Sequence, residues 1–141
     1  TTSAEVALVA ATTKTVLGLN APANQSVAIF GASITFDGTS NTAEPVSIQL
    51  LRHTTAGTST ARNPLKTKDT STALQTTGGE NYSAEPTAGD ILRTWHVHPQ
   101  AGAIVPLLLE REIVVPGGGR VSLRCTAPAG VNCLATIDGE E

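Results

Sequence analysis

Along much of the chain apolar and polar residues alternate with a period of two, the spacing that turns one face of a β-strand to a core and the other to water. In residues 46–52, Val46, Ile48 and Leu50 fall on one face, with Ser47, Gln49 and Leu51 on the opposite, wetter one. Residues 121–125 and 131–137 alternate in the same way, and the turn residues 127–130 between them predict a hairpin. Residues 5–10 and 13–19 read as two strands, or as one strand bulged at Ala11 and Thr12. Residues 27–36 form another, with Gly31 marking a bulge or bend. Further strands are expected at 91–98, 104–109 and 113–115. Between the last two stand Glu110, Arg111 and Glu112, whose carboxylates read as charges that keep a sheet edge from pairing.

Turn signals separate these segments: a loop at 20–24, the Asp37-Gly38 pair favoured in hairpins, Pro99-Gln100-Ala101-Gly102, and Pro116 followed by three glycines. No window offers a capped amphipathic helix of three turns. The pattern predicts one all-β domain over residues 1–141, an antiparallel β-sandwich or jelly-roll-like barrel of about eight to ten short strands.

One stretch breaks the rhythm. From residue 54 to 90 aliphatic residues nearly vanish, leaving Leu65 and Leu74 among Thr, Ser, Gly and Asn. A structureless loop of that length is unusual inside a compact domain, so short edge strands or a packing arm are expected there. Ser83-Ala84-Glu85-Pro86 echoes Thr42-Ala43-Glu44-Pro45, without flanking similarity that would make it a repeat.

Composition narrows the functional classes. Thr rivals Ala in abundance and far outnumbers Lys, which favours strands. Met is absent, which predicts an initiator removed before Thr1 or a cleaved leader. No apolar run approaches the roughly 20 residues of a membrane-spanning helix, so a membrane is not an expected partner. Nine basic residues against twelve acidic ones, with four aromatic rings, leave neither a phosphate-tracking stripe nor a stacking platform for nucleic acid.

Candidate chemistry is sparse. Cys125 and Cys133 share the apolar face of the last two strands, as buried free thiols or as a cross-strand disulfide. They lack the second pair of a zinc finger or ribbon. His96 and His98, two apart on a strand, would share a face and are the candidate metal ligands, with His53 a conceivable third. Cupin enzymes use such a pair on a jelly-roll barrel with a Glu three or four residues later. Here Pro99-Gln100-Ala101-Gly102 follows and Glu110 lies too far on, so an outward polar face opposite Trp95 and Val97 is the plainer reading. There is no Gly-x-Ser-x-Gly elbow, and Gly117-Gly118-Gly119 lacks the Lys-Ser/Thr and the helix of a phosphate loop. The residues call for no cofactor, and an enzyme is not expected.

Residues 3–141 resemble small proteins encoded among the virion genes of tailed bacteriophages. The resemblance is carried by residues 4–17, by Phe36-Asp37-Gly38-Thr39-Ser40 with Ala43-Glu44-Pro45 and Leu50-Leu51-Arg52, and by residues 85–90. Trp95-His96-Val97-His98-Pro99-Gln100 and the segments 111–115 and 125–128 complete it. It implies a capsid decoration (cement) protein on the outer surface of the virion, bound to the major capsid protein and to itself, commonly as a homotrimer. Other virion components, a head fibre or a tail or filament subunit, are the nearest alternative, followed by a cupin-like metal-binding enzyme. On the decoration reading, residues 1–11 form a contact arm and 54–90 a second contact region. Glu5, Val6, Leu8, Leu65 and Leu74 are then the expected intersubunit or capsid contacts, and the final hairpin supplies core.

Overall fold

Alternation forces each strand to bury one face, and strands buried on one face only are satisfied by a second sheet laid against the first. The computed structural model, which describes residues 1–41, 43–67, 71–108 and 110–141, has this arrangement and no helix among the described residues. Thr42 of the echoed phrase, Lys68 to Thr70 within the 54–90 excursion, and Leu109 lie outside the described residues.

Eleven strands follow in order: β1 (Val6–Leu8), β2 (Thr13–Asn20), β3 (Val27–Phe36), β4 (Val46–His53), β5 (Thr58–Ala61), β6 (Thr77–Ala84), β7 (Ala88–Val97), β8 (Gly102–Pro106), β9 (Ile113–Val115), β10 (Arg120–Thr126) and β11 (Val131–Glu140). They form a β-sandwich of two antiparallel sheets, not a closed barrel. One sheet runs β1-β11-β3-β8, with β9 also paired to β3; the other runs β5-β6-β2-β10-β4-β7. Between them lie Ile29, Ile34, Ile48, Leu50, Val16, Leu123 and Cys125, all essentially without solvent contact.

Several connections differ from the sequence expectation, for one reason. β10 and β11 are not a hairpin: β10 pairs with β2 and β4, whereas β11 pairs with β1 and β3. Two strands facing each other through a core alternate just as two hydrogen-bonded neighbours do, so periodicity cannot tell these arrangements apart. The Asp37-Gly38 pair likewise joins strands of different sheets. Gly38 is required because its N–H donates to the Pro99 carbonyl at 2.8 Å, and a Cβ there would sit 2.5 Å from that oxygen. β1 and β2 also part company, at Ala11, whose φ of 55° turns the chain from one sheet to the other. The bulge expected near Gly31 is present, as the β3–β11 register slips between Asp138 and Gly139.

The face of β4 expected to be wet is only partly so. Leu51 is 0% exposed although it points away from the main core, and on the same side Ser122 and Thr15 are buried. The cover comes from the 54–90 excursion, which supplies the edge strand β5 and, inside it, β6, whose Tyr82 packs over Gly18. The connections on either side of β5 and β6 are tied together by Thr54 N–H to Thr87 O (3.0 Å) and Thr87 N–H to Thr55 Oγ1 (2.8 Å). Glu85 accepts from the Thr15 N–H at 2.8 Å, anchoring the same cover to β2.

Candidate functional site

The chemistry-bearing side chains fall into three interior clusters and one surface. The first cluster lies under that cover. His53, at the end of β4, is hydrogen-bonded through Nε2 to the Ser122 hydroxyl, while its Nδ1 has no partner among the described residues. Burial lowers its pKa to about 4, with Arg124 and Arg120 adding repulsion, so the ring is neutral at neutral pH. Tyr82 packs over Gly18, whose missing Cβ leaves room for the phenol oxygen, and burial raises the phenol pKa. A His beside a Ser suggests nucleophile activation. Here Ser122 is 1% exposed, and it lines neither the depression at Asn63 to Thr77 nor the one beside Gly38 and Val131.

The second cluster pins the chain start. Glu80, itself buried, accepts from the Ser3 N–H at 2.6 Å and from the Ser3 hydroxyl. The Arg62 Nε–H donates to the Thr1 carbonyl at 2.8 Å, and Thr2 exchanges bonds with Ala135 of β11. Val6 and Leu8 are buried in the sandwich as β1. Residues 1–11 are therefore not a free contact arm, because alternate apolar residues beside an unfilled edge of the five-stranded sheet pack into their own domain. Of the other expected contacts, Glu5 and Leu65 are exposed and Leu74 is half-buried.

The third cluster is the thiol pair. Cys125 on β10 and Cys133 on β11 face each other across the core, one from each sheet, as free buried thiols. Their hydrogen bond and then burial push the Cys125 thiol well above its ordinary pKa. Sequence alternation placed both inward, yet they meet through the core and not across a hairpin.

The histidine pair does not converge on a metal site. His96 pairs with Ser47 near the start of β4, whereas His53 stands at the opposite end of that strand. β7 ends at Val97, and His98 belongs to the following turn, where its Nδ1 accepts from the Gln100 N–H at 3.2 Å. Among the described residues no group of three or more His, Cys, Asp or Glu is placed to hold a metal ion.

No family model, curated protein or solved structure matches the chain. The surface is thus the remaining guide. On the outer face of the five-stranded sheet stand Ile104, Leu134, Val114 and Phe30, all exposed, with Ile104 83% open to solvent. Leu108 is exposed in the β8–β9 connection. Sequence reading missed these residues, because an apolar residue at an outward position looks like noise in a half-buried strand.

Proposed function

We propose that the protein is a non-enzymatic structural protein of a bacteriophage virion, which decorates and reinforces the outer surface of the capsid as a symmetric oligomer attached to the major capsid protein. The observation that carries the reading is a division of labour between interior and surface. Carboxylates and hydroxyls are committed to clamps between remote segments: Glu80 to Ser3, Glu85 to Thr15, Asp37 to Asn132, Glu141 to Gln75 and Thr76. Aliphatic side chains are left to solvent on one sheet face. A body stiffened in this way and apolar on one flat side suits assembly better than turnover.

The winding supports the same class. With β5, β6 and β9 set aside, the eight remaining strands fall into sheets of order 1-8-3-6 and 2-7-4-5. That order matches the double-sheet jelly roll found in viral capsid domains, lectins and cupins, which supports reading the sandwich as one. Fold alone does not choose among those. The virion-gene resemblance of residues 3–141 favours the first, and the separation of His96 from His53 disfavours a cupin-type site.

The test is co-sedimentation of the purified protein with capsids of the phage that encodes it, stripped of this protein. Saturable binding that raises the temperature of shell disruption is expected. Failure to bind intact capsids overturns the reading.

A further inference from the structure

Sheet edges left bare are templates for pairing, and proteins blunt them with charge, shortness or cover. Three of the outer strands follow that rule. β1 has three residues, two of them buried, β5 is Thr-Ser-Thr-Ala, and β7 carries Asp90, Arg93 and His96. At the short β9, the Arg52 guanidinium donates to the Val114 carbonyl at 3.2 Å. β8 carries no charge: it reads Gly-Ala-Ile-Val-Pro, and its one blunting residue is the proline at its end, Pro106. Glu110 and Glu112, expected from sequence to guard an edge strand, lie instead in the β8–β9 connection, where Glu110 takes a φ of 68°.

The hydrogen-bond pattern shows which groups of β8 face outward. Phe36 N–H donates to the Ala101 carbonyl and Leu107 N–H to the Phe30 carbonyl, so Ala103 and Val105, at the alternate positions between, also bond inward to β3. Gly102, Ile104 and Pro106 point the other way, and all three are exposed.

We propose that β8 is a self-association site, pairing antiparallel with β8 of a second copy about a two-fold axis at Ile104. In that register each Ile104 donates to and accepts from the other. Each Gly102 N–H meets the Pro106 carbonyl opposite, and the position lacking an N–H, Pro106, costs one unfilled acceptor, the Gly102 carbonyl, on each copy. The two Ile104 side chains cover one another on the outer face. An uncharged strand meets its own copy without like-charge repulsion. Five residues a side fall below the roughly 800 Å² per partner of a standard stable interface, so the pairing is weak alone and grows with concentration. This inference stands independently of the capsid reading.

Sedimentation velocity over a concentration series tests it. The smallest species present at low concentration is expected to double as concentration rises, and I104K is expected to abolish the doubling. I91K, on the edge strand of the other sheet, should leave it intact. As a second arm, I104C chains treated with oxidised glutathione should form a disulfide-linked dimer, two protein thiols being oxidised as one glutathione disulfide is reduced to two thiols. A103C chains, whose position 103 faces position 105 of the second copy in this register, should not. Equal sedimentation of wild type and I104K, or I104C oxidising no faster than A103C, overturns the proposal.

Discussion

Single residues carry distinct and separable costs. His53 is neutral when buried beside Ser122, whereas in the unfolded chain it takes up a proton near pH 6.5. Between about pH 6.5 and 4 the unfolded chain therefore binds more protons than the folded one. Stability is full above that window and falls as pH descends through it, by roughly 1–2 kcal/mol after allowance for screening. Urea midpoints measured from pH 7 to pH 4 should show this slope in wild type and a flatter profile in His53→Gln. Ala11, in the left-handed region at φ 55°, should tolerate glycine with a gain of up to about 1 kcal/mol. Gly38→Ala, driven against the Pro99 carbonyl, should lose about 1–3 kcal/mol by thermal or urea unfolding. The buried thiols of Cys125 and Cys133 should resist alkylation until the chain unfolds, as read by the mass of the iodoacetamide-treated native protein.

At the scale of elements, what the sequence could reveal was burial, and what it could not reveal was partnership. Val46, Ile48 and Leu50 were legible as a core face because a strand's side chains alternate whatever it pairs with. The partners of β10 and β11 were not legible, since facing strands and neighbouring strands share that alternation. Leu51 shows the same limit from the other side: it is fully buried on the face where Tyr82 and Glu85 of the excursion pack on β2, and the excursion carries too few apolar residues to announce a second, smaller interior. Leu51→Ala should thus cost about 2–4 kcal/mol in chemical denaturation, like any fully buried leucine and unlike a wet strand position. The clamp at the chain start makes a similar demand. Removal of residues 1–8 takes away Val6, Leu8 and the Ser3 bonds to Glu80, and a lowered unfolding midpoint is expected, not a folded domain with a missing arm.

For the whole molecule, the candidate surface was the least legible part. Ile104 has no sequence signature of its own; it becomes significant only when β8 is found at an edge with no further strand beside it among the described residues and no charge. The same holds for the cluster of Ile104, Leu134, Val114 and Phe30, which four strands bring to one face from distant parts of the chain. The histidines illustrate the converse. They looked like chemistry in sequence, and the fold separates them, with His96 on β7, His98 in the turn after it and His53 at the far end of β4. A two-sheet body with internal clamps and an outward aliphatic face is, on this account, a part made to be assembled on a larger shell. The most direct measurement is electron cryomicroscopy of capsids with and without the added protein. The account predicts symmetric density on the outer capsid surface into which the sandwich fits as a rigid body. A reconstruction unchanged by saturating protein would contradict it.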